Sequence, residues 1–404
     1  MKTKKNSSDE MDSEIREDLF GPEDISAESD EDLTGADTAS LGSAVVWGTD
    51  WTAATIVDQL RRRNIALDPT FQRRDAWTDE RKSRFIESLI LGLPIPQLVL
   101  AEDRKSKGKF IVIDGKQRLL SLSRFTGVGL SRDQQPLVLT GLKVRKDLNK
   151  CTYEDLQHDM RREELIASFE NQPIRTVVIR DWKSEGVLYT IFHRLNTGSV
   201  PLSTQELRQA LHPGPFLTFV AKFSEKSVIL RTLLDLTRPD FRMRDVELVV
   251  RFFSFQLRLP EYRGNLKQFL DDTCDQFNKA WDTREDEFRS VAGECEQSIK
   301  AAIKIFSKNT VYRKWDGERF EKRMNRAIFD VVSNSLAEAE IRSSALKKKE
   351  KVQEAFKQLC LDESFRSAIE STTKSKEAVS IRFSKWYRAL SHVIGKKISP
   401  DLPK

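Results

Sequence analysis

The sequence predicts an α+β domain that is followed by a mostly helical one. Short β-branched runs alternate with helical periodicity in the first half of the chain, whereas only helical periodicity is present beyond about residue 216. The opening segment is rich in Ser, Asp and Glu and nearly free of aromatic residues, a composition that buries too little apolar surface to fold. We therefore predict a disordered acidic tail (1–46), an α+β domain (47–215) and a helical domain (216–404).

The α+β domain is expected to begin with two helices. Thr52 has the character of an N-cap for a helix that ends in the basic run 61–63, where positive charge suits the helix C-terminus. Residues 78–91 repeat apolar side chains at helical spacing and predict a second, amphipathic helix. Pro94 and Pro96 end it and favour extended backbone in the residues that follow.

Three short apolar runs predict the strands of a small sheet, at 97–100, 109–113 and 175–179. The second run is broken by Asp114-Gly115, and helical periodicity resumes over 116–125. The pattern there is a buried strand, a tight turn and a helix.

Further helices are indicated downstream of the third strand. Residues 188–194 are predicted to be helical, and Ser203 with Glu206 matches a capping box that opens a helix through Leu211. In the helical domain, apolar faces recur over 246–257, 327–336 and 376–394.

Charge is distributed unevenly along the chain. The net charge is +6, but residues 1–45 contain 13 acidic and 4 basic side chains, which leaves the remainder strongly basic. A basic body attracts polyanions, and an acidic segment of the same chain can compete with them. A solvated basic face with a solubilising tail would have the same composition, so nucleic-acid binding is only one interpretation.

Several classes of protein are excluded by composition and motif. The longest nearly apolar stretch, 89–101, includes two prolines and is too short to cross a bilayer. Acidic and polar residues follow the basic N-terminus, so we expect no secretory h-region. The cysteines are far apart and form no C-x-x-C pair, which argues against a zinc site or disulfide scaffold and favours the cytoplasm. Walker A, G-x-G-x-x-G, H-E-x-x-H and G-x-S-x-G patterns are all absent from the sequence, and no metal site is assigned.

The run Asp114-Gly115-Lys116-Gln117-Arg118 is the first candidate for phosphate chemistry. It lies where a buried strand meets a helix N-terminus, whose backbone N–H groups and partial positive charge form an anion site. Lys116 and Arg118 add positive charge, and Asp114 could orient a water, a ribose hydroxyl or a metal. In the competing interpretation Asp114 merely caps the helix, and the basic side chains face solvent.

Two other clusters carry weaker signals. Gln72 and Arg73 precede Trp77, a combination that can hold a phosphate or stack on a base, although Trp77 could equally be a core residue. Arg194, Asn196 and Thr197 occupy a run through a predicted turn, which could present side chains to a ligand or have no function.

Taken in order along the chain, these motifs resemble the N-terminal domain of GmrSD-type restriction endonucleases. The resemblance rests on Phe71-Gln72-Arg73 with Trp77, Pro94-Ile95-Pro96, Ile113-Asp114-Gly115-Lys116-Gln117-Arg118, Phe192 to Gly198, Leu202 to Arg208 and Arg244 to Val249. It spans roughly 47–390 and implies a ParB/sulfiredoxin-like core with a small mixed sheet, followed by helices.

The resemblance also implies a function in prokaryotic defence against foreign, often modified, DNA. Family members use a D-G-Q-Q-R motif to bind and hydrolyse nucleotides, and this motif falls here on Asp114, Gly115, Gln117 and Arg118, with Lys116 in place of the first Gln. Arg118 and Asp114 are then the expected catalytic residues. The expected phosphate-binding residues are Gly115, Lys116, Gln117, Gln72, Arg73, Arg194, Asn196 and Thr197.

Full restriction enzymes of this type carry a C-terminal HNH-like nuclease domain, which we do not find in this sequence. The leading hypothesis is therefore a cytoplasmic protein that binds an NTP (GTP, ATP or CTP), with Mg²⁺ as an optional cofactor and with DNA and a partner nuclease as partners. Whether the NTP is hydrolysed stays open at this point. The alternatives are a non-catalytic DNA-binding adaptor and, third, a Mg²⁺-dependent nuclease.

Overall fold

The structure is a computed structural model that describes residues 45–65, 67, 74–130, 134–195, 203–371 and 373–403. The chain divides into two compact units, of which the first ends at Leu211 and the second begins at His212. In the part of the chain that is described, no helix combines the length and the apolar character that a membrane crossing needs. The predicted tail falls outside the described residues up to residue 44, whereas Val45 and Val46 already belong to the first strand.

The N-terminal unit mixes strands and helices, as the sequence predicts. Its strands are β1 (Val45–Thr52), β2 (Leu98–Glu102), β3 (Phe110–Asp114) and β4 (Pro173–Arg180). Its α-helices are α1 (Ala53–Arg61), α2 (Asp79–Ile90), α3 (Lys116–Thr126), α4 (Tyr153–His158), α5 (Glu163–Asn171), α6 (Glu185–Leu195) and α7 (Thr204–Leu211). Short 3₁₀ turns lie at Lys146–Leu148 and Met160–Arg162.

The four strands form one mixed sheet in the order β1-β4-β2-β3. β4 pairs antiparallel with β1 and parallel with β2, while β2 and β3 pair antiparallel. β1 was not predicted from the sequence, because its side chains are mostly exposed and show no clean alternation.

Both faces of the sheet are covered by helices. Leu98 and Leu100 of β2 face a core built with α1, α2, α3 and α5, while Val99 and Ala101 face a smaller core built with α6 and α7. This alternation follows from the period of two along a strand. The result is a three-layer unit in which β3 leads directly into α3.

Side-chain caps define where two of the helices begin. The hydroxyl of Thr52 accepts a hydrogen bond from the N–H of Thr55 at the start of α1, as the sequence predicts. The hydroxyl of Thr78 does the same for Arg81 at the start of α2. Each bond satisfies one of the N–H groups that a helix N-terminus leaves without an internal partner.

The second unit is helical throughout its described secondary structure, apart from an isolated bridge between Trp315 and Phe320. Its α-helices are α8 (Pro215–Lys226), α9 (Val228–Leu233), α10 (Arg244–Arg258), α11 (Leu266–Lys279), α12 (Trp281–Phe306), α13 (Arg326–Ser335), α14 (Ala339–Lys347), α15 (Lys349–Leu361), α16 (Glu363–Glu370) and α17 (Lys376–Ile394), with a 3₁₀ turn at Leu259–Glu261.

Aromatic side chains fill part of the core of this helical unit. Phe216, Phe253, Phe277 and Phe288 are buried and pack edge-to-face or tilted, with ring centroids 4.7–6.3 Å apart. Such pairs add stabilisation beyond the burial of their apolar area. Together with the mixed sheet of the N-terminal unit, this unit confirms the α+β fold class with a helical C-terminal region.

Candidate functional site

The candidate site is the junction between β3 and α3, where the chain turns through a single glycine. Gly115 is the N-cap of α3 and has φ +98° and ψ +14°, in the left-handed region. A Cβ at this position would lie 2.3 Å from Cδ2 of Leu98, a buried residue of β2. Only glycine satisfies both the dihedral angle and the space, so the N-terminus of α3 packs directly against Leu98 of β2.

Asp114 and Arg118 form an ion pair across this turn. Nη2 of Arg118 donates to Oδ2 of Asp114 and to the carbonyl oxygen of Gln97, each at 2.8 Å. Arg118 is buried, whereas about a third of the Asp114 side chain (32%) is exposed. Asp114 therefore precedes the cap and binds Arg118, and the interpretation in which Asp114 caps the helix is wrong.

The guanidinium of Arg118 is not fully satisfied. Its Nε is buried and has no hydrogen-bond acceptor among the residues that the structure describes. A buried donor without an acceptor costs free energy, which an oxygen ligand at that position would recover.

Lys116 is held by a buried carboxylate from a distant part of the sequence. Its Nζ lies 2.5 Å from Oε1 of Glu206 on α7, and both side chains are only 4% exposed. The other carboxylate oxygen of Glu206 accepts the N–H of Ser203, and the hydroxyl of Ser203 accepts the N–H of Glu206. The predicted capping box is thus confirmed, and its Glu206 also fixes the first turn of α3.

Residues 54–213 match the family model described as the GmrSD restriction endonuclease, N-terminal domain. This segment is a GmrSD N-terminal domain. The match contains the β3–α3 junction and α7, and it ends before the Arg244 to Val249 motif. No curated protein and no solved structure matches the chain significantly.

In this GmrSD N-terminal domain, Gln117 joins the first turn of α3 to the segment that leads into α2. Its Oε1 accepts the backbone N–H of Trp77 at 3.3 Å, and that N–H also donates to Oδ1 of Asp75 at 3.1 Å. The Trp77 ring packs against Phe85, and the guanidinium of Arg81 lies 4.8 Å from its centroid. Trp77 is therefore a partly buried core residue that also stacks with a cation.

Four of the predicted binding residues lie outside the described part of the chain: Gln72, Arg73, Asn196 and Thr197. Arg194 is in α6, but its side chain is not among those described. The structure therefore describes the D-G-K-Q-R run, and a role of the other five residues in phosphate binding stays a prediction.

Sequence reasoning missed two buried charged residues of the GmrSD N-terminal domain. The sequence predicts a capping box at Glu206 but does not indicate its pairing with Lys116. Lys82 is 2% exposed, and its Nζ lies 2.7 Å from Oδ2 of Asp75. The same Nζ donates to the carbonyl oxygen of Trp77 at 2.7 Å, so Lys82 fixes the segment that contacts Gln117. A lysine on the apolar side of an amphipathic helix was the available signal.

Proposed function

We propose that the GmrSD N-terminal domain binds a nucleoside triphosphate at the β3–α3 junction, within a restriction-type defence against foreign DNA. The defence role is supported by the family description, which is that of a domain of a restriction endonuclease. The nucleotide site is supported above all by the buried Arg118, whose Nε lacks an acceptor among the described residues.

Two features of the junction favour a phosphate over other ligands. The first turn of α3 follows a glycine, which has no side chain to cap it, so its backbone N–H groups and the helix dipole favour an anion. Arg118 lies in that first turn and is oriented by Asp114 and by the Gln97 carbonyl. A guanidinium fixed in this way pairs well with phosphate oxygens.

Lys116 has a different role in this proposal from the one expected from the sequence. Its charge is paired with Glu206 inside the domain, so we assign the phosphate contact to Arg118 and the positioning of α7 against α3 to Lys116. A lysine in place of the family's glutamine needs a carboxylate partner, and Glu206 supplies it.

Hydrolysis of the bound nucleotide would depend on Asp114. Its Oδ1 has no partner among the described residues, and the side chain is partly exposed, so it can orient a water molecule. Mg²⁺ sites in nucleotide enzymes use one or two protein carboxylates together with the phosphates, and Asp114 fits as that carboxylate. A bound Mg²⁺ would supply charge neutralisation of the phosphates.

Nucleotide binding and phosphate release with GTP, ATP, CTP and UTP test the proposal. Arg118→Ala removes the guanidinium, Arg118→Lys keeps the charge but not the fork, and both should abolish or strongly weaken binding. Arg124→Ala is the matched control, because Arg124 lies on the same helix about 9 Å further along its axis. Unchanged affinity in folded Arg118 variants would refute the assignment.

Performing these measurements with and without DNA separates the two other candidate functions. A DNA-binding adaptor would show affinity that falls steeply with salt and does not respond to NTP. A nuclease would nick DNA in the presence of Mg²⁺ and lose that activity in Asp114→Asn.

A further inference from the structure

The helical unit contains a half-enclosed cavity of about 400 Å³ at the N-terminus of α13. This volume falls within the range of small-molecule sites, roughly 300–1,000 Å³. Basic side chains dominate its charged lining, namely Arg251, Lys314, Arg323, Arg326 and Arg382. None of these residues belongs to the D-G-K-Q-R junction.

Carboxylates offset most, but not all, of this positive charge. Asp330 pairs with Arg251 at 2.6 Å, and Glu247 pairs with Arg326 at 3.0 Å. Lys314 lies between Glu321 and Glu370 at the edge of the cavity. Four carboxylates thus face five cations, which leaves room for one added anion.

Arg382 on α17 has the longest ion pair of the three buried arginines in this lining, and its Nη1 donates to the carbonyl oxygen of Thr373. It is 1% exposed, and its Nη2 reaches Asp330 only at 3.5 Å, because Arg251 already binds both oxygens of that carboxylate. Its Nε has no acceptor among the described residues. Burial lowers the pKa of Arg382 to about 10, and the Asp330 carboxylate only partly opposes this shift.

The remaining lining adds a helix N-terminus and an apolar wall. Asn325 is the N-cap of α13, and its side chain caps Ile328, so the partial positive charge of this ten-residue helix lies at the cavity. Leu266, Met324 and Ile369 are buried apolar residues that also line it.

From this arrangement we infer that the cavity binds a phosphate monoester of nucleotide size, with its phosphate at Arg382 and Arg323 and its apolar body against Leu266, Met324 and Ile369. Arg323 is exposed and has no ion pair within the described residues, so it is available at the cavity mouth. The small excess of positive charge suits one phosphate group rather than a triphosphate. The phosphates of a continuous duplex would not reach a guanidinium that is 1% exposed.

Calorimetric titration of the full chain with AMP, GMP and inorganic phosphate tests this inference. Arg323→Gln should weaken monophosphate binding roughly tenfold, the effect of losing one charge-assisted hydrogen bond. Lys322→Gln is the matched control, since Lys322 is the exposed neighbour in sequence and does not line the cavity. Arg382→Lys, which keeps the charge and loses the fork, should weaken binding as well.

Further arms identify the source of the phosphate and separate this site from the β3–α3 junction. Tighter binding of a 5′-phosphorylated oligonucleotide than of its 5′-hydroxyl form would identify the ligand as a nucleic-acid end. Tighter binding of AMP or GMP than of the phosphorylated oligonucleotide would identify it as a free nucleotide. Monophosphate binding that survives Arg118→Ala and falls in Arg323→Gln supports the cavity site, even if the junction binds no NTP. Binding that is absent, that falls equally in Lys322→Gln, or that is lost only in Arg118→Ala overturns it.

Discussion

Gly115 is constrained by its left-handed backbone conformation and by its contact with Leu98, and the two effects can be measured separately. Gly127, at the other end of α3, also has a positive φ, +72°, but a Cβ there would meet nothing within 4 Å. Gly127→Ala should therefore cost only the left-handed backbone penalty, about 1–2 kcal/mol. Gly115→Ala should cost a further 1–3 kcal/mol or so, because its Cβ would collide with Leu98.

Urea unfolding of the two alanine variants checks this difference. Equal losses in the free energy of unfolding would show that the contact between Gly115 and Leu98 does not constrain the turn. Nucleotide binding by the Gly127 variant should stay intact.

The buried pair of Lys116 and Glu206 is the second feature at this scale. Lys116→Met leaves the Glu206 carboxylate buried without its cation and should lower the free energy of unfolding by about 3–5 kcal/mol. Lys116→Met with Glu206→Gln should be less destabilised than the sum of the two single variants. A double-mutant cycle in urea measures that coupling, and additive losses would contradict the pairing.

These residues also show what the sequence could and could not reveal of the site. Asp114 and Arg118 lie four positions apart, so their approach on the first turn of a helix is a local matter. Lys116 and Glu206 lie 90 positions apart, and nothing in the local pattern of either indicates the other. The approach of Asp114 to Arg118 thus follows from local spacing, whereas the compensation of Lys116 by Glu206 does not.

At the scale of helices and strands, the sequence predicts those features whose stabilising contacts are between neighbours in the chain. The cap at Thr52, the capping box at Ser203 and the strand–turn–helix at Asp114 are all set by neighbours in sequence. The sequence does not predict β1, because this strand depends on pairing with β4 and has no hydrophobic pattern of its own. The strand order of the sheet is non-local for the same reason.

Asp362, the N-cap of α16, gives a prediction about pH. Hydrogen bonds from Lys385, and next from the N–H of Phe365, lower the pKa of Asp362 from 3.8 to about 2. Because the folded pKa lies below the ordinary value, this carboxylate contributes stability that is complete above about pH 4 and is lost as the pH falls toward 2.

Asp362→Asn keeps a good cap and removes only the charge. The difference in unfolding free energy between the unsubstituted protein and this variant should decrease as the pH falls from about 4 to about 2. The unfolding free energy of Lys385→Met should depend less on pH than that of the unsubstituted protein. Chemical unfolding at a series of pH values measures both. A difference that stays constant from pH 4 to 2 would rule out the stabilising bond to Lys385.

At the scale of the whole molecule, the separation of charge along the chain is the dominant feature. Residues 1–45 have 13 acidic and 4 basic side chains, while the protein as a whole is at +6. If this acidic segment competes with polyanions, removal of residues 1–44 should raise the affinity for DNA at low salt and steepen its salt dependence. The cut leaves β1 intact, since that strand begins at Val45.

Fluorescence anisotropy with labelled duplex DNA over a salt series measures this effect. If the truncated protein binds DNA with the same affinity and the same salt dependence, the acidic segment does not compete with DNA for the basic surface. Replacement of the segment by a neutral Gly/Ser sequence of equal length is the matched control for the loss of chain.

The sheet order has a consequence for the order of events on the ribosome. β4 is the last strand to be synthesised, yet it lies between β1 and β2. The β2–β3 hairpin can close as soon as it emerges, but β1 and one edge of β2 wait until translation has passed Arg180. The D-G-K-Q-R turn thus leaves the exit tunnel ahead of the strand that completes its support, and the nascent chain carries two open strand edges during that interval.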